Sequence, residues 1–290
     1  MTGSSEHQPT ELRYRSRGLK LACLQWGSPA APPLVMIHGG LENAHAWQPV
    51  AIRLAERWRV IAPDLRGHGE SDRAPGGDYA ILDFAGDIAA LFDTLEIERA
   101  ALGGHSLGGA VATAFAALYP EKVTRLFVVE GLRPAGRQPL EEMDAIFAAI
   151  REWTDRSGPG REPRCYPDVA AMVERLLAAD PLMPAALARE LVVTNVRPCE
   201  GGYCWKYDPR VRENDLISTL GPEPRHFWER IVCPTLLVYG GKSWATNPAS
   251  DGRLAHFRDA RVEEVAAAGH NVHHHQPEAF LALLEPFLAD

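Results

Sequence analysis

Gly104-His-Ser106-Leu-Gly108 sets a serine between two glycines, where a strand-like apolar run gives way to a helix-like one. A serine hydroxyl attacks well only when a base takes its proton and something stabilises the charge it creates. The chemistry invited is therefore nucleophilic attack on a carbonyl carbon. The turn is tight enough that side chains flanking the serine would collide, which accounts for glycine on both sides. It also puts Ser106 at a helix N-terminus, whose partial positive charge favours an alkoxide or oxyanion. Ile37-His-Gly-Gly40 ends another apolar run. The N–H groups of Gly40 and Leu107, with Leu41 beside them, form the expected oxyanion hole. Only backbone is needed there, so His38 reads as a structural histidine.

Eleven histidines compete for the role of base. His270 lies in Ala267-Ala-Gly-His-Asn-Val-His-His-His275, between the strand-like Val262–Val265 and a terminal helical stretch, Pro277–Leu288. From that position a loop reaches over the strand ends, where ligands bind in open α/β sheets. Glu130 follows Leu126-Phe-Val-Val129 directly, giving the chain order serine, acid, histidine. A carboxylate there would hold the imidazole tautomer and stabilise the imidazolium. The rival loop, Gly240–Thr246, contains no acid until Asp251, a long reach, so Glu130 is the expected acid. The plainer alternative for Glu130 is an ion pair with Arg133. His273, His274 and His275 lack an H-E-x-x-H pattern and a carboxylate at ligand spacing. They are expected to line a helix N-terminus or the cleft rim, with no metal bound.

Holding these residues together requires strands that end near one another. Leu34–Ile37, Val60–Ala62, Ala100–Leu102, Leu126–Val129 and Leu236–Tyr239 are short unbroken apolar runs, as in strands buried on both faces of a parallel sheet. Between them Ile81, Phe84, Ile88, Leu91 and Leu95 follow helical spacing, and Leu107–Tyr119 is apolar nearly all round. The alternation predicts an α/β fold with a doubly wound, mostly parallel sheet. Leu12–Trp26 alternates and turns at Arg17-Gly18, predicting an antiparallel hairpin at the sheet edge. After Val129 the alternation stops. Residues 131–230 show no buried-strand run but three helical patterns, at Leu140–Trp153, Val169–Leu176 and Leu187–Leu191. The expected organisation is a core of residues 1–130 and 231–290 interrupted by a helical insertion at 131–230.

The chain has 290 residues, 46% hydrophobic and 23% charged, the balance of a globular enzyme. Thirty basic against 38 acidic residues give a net charge of −8, so no basic face favours nucleic acid or an anionic membrane. No run approaches the length of a membrane span, and the polar N-terminus does not read as a secretory signal. Five scattered cysteines predict no disulfide scaffold and a cytoplasmic location; Cys199 and Cys204 read as ordinary thiols. Oligomeric state, a homodimer included, stays open.

In combination these residues resemble the α/β-hydrolase superfamily, in its branch with a helical cap. His38-Gly-Gly40, Asp64–Ser71, Gly104–Gly108, Cys233-Pro-Thr-Leu-Leu237 and Ala268-Gly-His270 occur in the family's order. The resemblance implies a nucleophile at Ser106, a base at His270 and an oxyanion hole at Gly40. Many members carry their acid on the loop after the next-to-last strand, about where Trp244 stands here; others keep it where Glu130 stands. The resemblance implies a cap at residues 131–230 that shapes the pocket, with Gly201–Pro209 like a common cap element. Leu41, His105, Trp153, Trp205 and Trp244 are the expected substrate contacts, suiting a small, largely apolar ester. The implied reaction is cofactor-independent ester hydrolysis through an acyl-enzyme on Ser106. Cleavage of C–C bonds, lactones or thioesters, or perhydrolysis, would use the same three residues, and a non-catalytic receptor would keep the pocket. Serine rather than aspartate at this turn argues against epoxide hydrolase and haloalkane dehalogenase chemistry.

Overall fold

In the computed structural model, which describes residues 8–132, 144, 146–148, 150–151, 163–212 and 223–289, each apolar run named above lies in a strand. The strands of the main sheet are β1 (Thr10–Ser16), β2 (Leu19–Trp26), β3 (Pro33–Ile37), β4 (Arg59–Pro63), β5 (Ala100–His105) and β6 (Val123–Val129). A short pair, β7 (Val196–Cys199) and β8 (Gly202–Trp205), forms a separate sheet, and β9 (Thr235–Gly240) and β10 (Ala260–Val265) complete the main one. Eight strands run in the order β1-β2-β4-β3-β5-β6-β9-β10. Those from β4 onward are mutually parallel, and only β2, joined to β1 by a hairpin that turns on Arg17 and Gly18 at positive φ, runs against them. Every residue of β5 and β9 is buried. That is why these strands are apolar on both faces rather than alternating.

Helices cover both faces. On one, α1 (Gln48–Leu54) and the C-terminal helix Pro277–Ala289 pack Trp47, Val50, Phe280 and Leu284 against Met36, Phe127 and Val238. On the other, α2 (Ile81–Thr94) and α3 (Leu107–Leu118) pack Phe84, Ile88 and Phe115 against Val35, Leu102 and Val128. A parallel sheet sandwiched in this way aims all its strand C-termini at one edge, where β3, β5, β6 and β9 deliver the loops that matter below.

Between β6 and β9 the chain forms α4 (Val169–Ala179) and α5 (Ala185–Thr194), as helical spacing predicts, then the β7–β8 hairpin, which the sequence pattern does not reveal. Its strands are four residues each and largely unburied, so they lack the apolar run that marks the main sheet. Most of the helix expected at Leu140–Trp153, with Trp153 itself and Arg133, lies outside the described residues. The reading of Cys199 as an ordinary thiol fails, since it is disulfide-bonded to Cys165, 34 residues away, while Cys204 is free and buried. The cause is tertiary: Tyr166 bridges to Tyr203 on β8, which brings Cys165 beside the hairpin turn. No helix among the described residues is long and apolar enough to cross a membrane.

Candidate active site

Ser106 sits between β5 and α3 with φ 49° and ψ −114°, outside the regions that L-residues favour, at a cost on the order of 1–3 kcal/mol. Neighbouring backbone enforces the strain. The Ser106 N–H donates to the Val129 carbonyl at 2.9 Å, and its carbonyl accepts from the Ala110 N–H at 3.1 Å. A Cβ on Gly104 would overlap Gly108, and one on Gly108 would overlap the carbonyls of Ile37 and His38. Both flanking glycines are thus sterically required, for the reason the spacing suggested. The Ser106 hydroxyl makes no hydrogen bond with a described residue. Such bonds are often long without substrate and tighten only in the reacting complex.

Gly40 faces the same turn, since a Cβ there would lie 3.8 Å from that of Leu107. Among the described residues nothing accepts a hydrogen bond from the N–H of Gly40, Leu41 or Leu107. The segments of Gly40 and Leu107, which approach each other here, thus carry backbone N–H groups without an acceptor among the described residues. Leu41 is held at φ 69°, its carbonyl accepting from Asn195 Nδ2 at 2.8 Å. His38 is fully buried: its Nε2 accepts from the Leu65 N–H at 3.1 Å and its Nδ1 donates to the Gly39 carbonyl at 2.7 Å. Burial pushes its pKa down, as befits a neutral structural ring. The segment from Asp64 to Ser71 is likewise structural. Asp64 accepts from the N–H groups of Ala44 and Glu70 at 2.7 and 2.8 Å.

Glu130 directly follows β6 at φ 55°, with its side chain wholly buried. Its Oε1 accepts from the Gly240 N–H at 2.7 Å and its Oε2 from the Ser243 hydroxyl at 2.8 Å, while His270 Nδ1 lies 3.3 Å from Oε2. Two donors thus fix the carboxylate in the orientation that faces the imidazole. Asp251 instead turns to Arg253, at 2.9 and 2.8 Å. Trp244, on the rival loop Gly240–Thr246, is 81% exposed and stacks on the His270 ring at 4.8 Å.

The loop bearing His270 is tied down from the far segment. Asp180, the residue after α4, accepts from Asn271 Nδ2 at 2.6 Å and from His275 Nε2 at 2.8 Å. His275 Nδ1 accepts in turn from the Gly269 N–H at 3.0 Å, which fixes its tautomer. Burial alone would raise the Asp180 pKa, but the bonds from His275 and Asn271 outweigh it and leave it below the usual value.

Two expectations need correction. His105 does not line a pocket: its ring is 2% exposed, with Nε2 3.2 Å from the His270 carbonyl and Nδ1 3.4 Å from Glu42. The strand alternation that exposes Ser106 points the preceding side chain into the layer behind it. His273 and His274 do not line a rim either. Both are buried, His273 stacked on Trp47 at 4.3 Å and His274 Nε2 donating to the Ala46 carbonyl at 2.8 Å. Trp205 lies on the β7–β8 hairpin against Tyr166 and Tyr207. Asp180, Glu42, Asn195 and Ser243 were missed, since each acts through a partner remote in sequence or a backbone group that no motif marks.

A family model described as alpha/beta hydrolase fold matches residues 32–277. An uncharacterized protein of Mycobacterium tuberculosis is 43% identical over 122 residues, 42% of this chain, and this chain accounts for only 35% of the length of that relative. An esterase of Mycobacterium tuberculosis is 29% identical over 276 residues, covering 92% of this chain and 86% of that protein. Among solved structures, the thioesterase domain from the curacin biosynthetic pathway superposes with a TM-score of 0.85 at 30% identity, over 97% of this chain and 99% of that domain.

Proposed function

The chain belongs to the alpha/beta hydrolase fold family, and we propose that it is a serine hydrolase cleaving carboxylic esters of small, largely apolar molecules. Ser106 is the nucleophile, His270 the base and Glu130 the acid that orients it. The observation that carries this reading is the buried Glu130 carboxylate 3.3 Å from His270 Nδ1, on the loop edge shared with the strained Ser106 turn. With Nδ1–H directed at Glu130, Nε2 of His270 is left free to take the Ser106 proton as the hydroxyl attacks the ester carbonyl. The oxyanion then draws on the N–H groups of Gly40 and Leu107, with Leu41 adjacent. The alcohol leaves with a proton from His270, and water, activated by the same base, releases the acid from Ser106.

Residues 131–230 act as a cap over a core of residues 1–130 and 231–290, with Trp205 and Trp244 as aromatic surface toward the substrate. Supporting this are the cross-links from Asn195 to Leu41 and from Asp180 to the His270 loop. Thioester hydrolysis by the same residues is the second reading, favoured by the likeness to a thioesterase domain.

The test is turnover of a panel of p-nitrophenyl esters and acyl thioesters by the wild-type protein and by Ser106→Ala. The expected result is hydrolysis of short-chain esters that Ser106→Ala abolishes, with fluorophosphonate labelling confined to Ser106. Labelling at another residue, or full activity in Ser106→Ala, would sink the assignment.

A further inference from the structure

Beside the His270 ring, which lies 4.9 Å from that of His105, Glu42, His105 and His273 each bring one metal-ligating atom to within 4.8 Å of the others. Glu42 comes from the loop after β3, His105 from the end of β5 and His273 from the helical turn Val272–His275, so no local motif marks them. His273 is fully buried, yet neither of its ring nitrogens has a hydrogen-bond partner among the described residues. Buried polar atoms are nearly always satisfied, so a ring with both nitrogens orphaned calls for an occupant. Burial, reinforced by His274 and His105, drives the His273 pKa well below its ordinary value, so the ring is a neutral donor at physiological pH. Two imidazoles and one carboxylate make up a donor set that holds zinc, with a fourth position open to water.

We infer that Glu42, His105 and His273 form a binding site for a borderline divalent cation of the zinc type, and that filling it inhibits the enzyme. Metal–nitrogen and metal–oxygen bonds near 2.0–2.1 Å require the donors to draw together by roughly 1 Å. The Glu42 side chain, 21% exposed, is the most accessible of the three and the side from which an ion enters. The same three residues carry bonds that matter to catalysis. His105 Nε2 lies 3.2 Å from the His270 carbonyl, and Glu42 Oε2 accepts from the Gly39 N–H at 2.7 Å. Drawing both onto an ion pulls the loop of the base and the loop that leads to Gly40. Binding itself does not depend on the hydrolase reading; the inhibition does.

Metal-free full-length protein is titrated with zinc chloride by calorimetry, while hydrolysis of p-nitrophenyl butyrate is followed in parallel and cobalt(II) is added separately for its tetrahedral absorption bands. The expected result is one ion per chain, with activity lost on binding and restored by EDTA. His273→Phe keeps the stacking on Trp47 and removes one ligand, and should weaken zinc binding and inhibition together by at least about tenfold. Glu42→Gln is the second variant, keeping an oxygen for the Gly39 N–H while removing the anionic ligand. The proposal is overturned if no zinc binds, as a buried water on His273 would dictate. It is also overturned if both variants bind zinc like wild type, which would place the ion on surface histidines. Binding that depends on His273 in a protein without esterase activity would leave the site standing and refute the hydrolase reading.

Discussion

Replacing Glu130 by glutamine tests the arrangement around His270 at the cost of one atom. In the native site Oε1 takes the Gly240 N–H at 2.7 Å, and Oε2 takes the Ser243 hydroxyl at 2.8 Å and faces His270 Nδ1 at 3.3 Å. Glutamine has one oxygen for these two places. If its NH2 pointed at Gly240, two buried donors would face each other, costing about 1–3 kcal/mol. The oxygen therefore stays on Gly240, and the NH2 replaces Oε2. An NH2 there donates to His270 Nδ1, which must accept, so the ring proton moves to Nε2, the nitrogen that has to receive the Ser106 proton. Holding the wrong tautomer should lower kcat by ~10^3–10^4, equivalent to ~4–5.5 kcal/mol in activation free energy. Asp251→Asn is the control. Asp251 meets Arg253 and not His270, so it should leave kcat within about twofold and cost about 1–2 kcal/mol of stability through a weakened charged hydrogen bond. The assay is kcat for p-nitrophenyl butyrate at saturating substrate, with thermal melts showing that both variants fold. A Glu130→Gln variant within tenfold of wild type, or a larger loss of kcat in Asp251→Asn, would refute the reasoning.

Asp180→Ala strips the acceptor from both Asn271 and His275; a displacement of the His270 loop by about 1 Å should lower kcat by up to ~10^2 while the Ser106 turn stays intact. A variant with wild-type kcat would show that the loop holds its shape without this tie. Stability should also fall with acid before the carboxylates titrate. Burial holds His38, His68, His273 and His274 below their ordinary pKa, His68 at about 3. Below about pH 6.5 the unfolded chain takes up protons that these rings refuse, so stability is full above that pH and falls beneath it, by up to ~1.4 kcal/mol per pH unit for each ring. Melting temperatures measured from about pH 8 to about pH 5 should drop accordingly; a flat profile would mean that these rings gain protons in the folded protein.

How far the chain could be read depended on whether a function was local in sequence. Ser106 with its glycines was legible because the steric demand falls on residues two positions away, and the same overlaps recur in the folded chain. Glu130 was legible as a candidate because a strand end is visible as the end of an apolar run. His105 was misread, since a residue next to the nucleophile in sequence points to the opposite side of the strand in space. The β7–β8 hairpin escaped notice because its strands are short and half exposed, and the Cys165–Cys199 bond because nothing local relates its two ends.

The sequence by itself determined the sheet, the helices on its two faces, the Ser106 turn and the identity of the histidine loop. Each rests on burial periodicity or on sterics within a few residues. Tertiary structure alone decided which carboxylate faces His270, separated from Glu130 by 140 positions, and which residue of the far segment anchors the His270 loop. It also decided that Glu42, His105 and His273 converge. The physical reason is that hydrogen bonds and metal-ligand sets are satisfied by proximity in space, whereas a sequence displays only the proximity that the chain itself enforces.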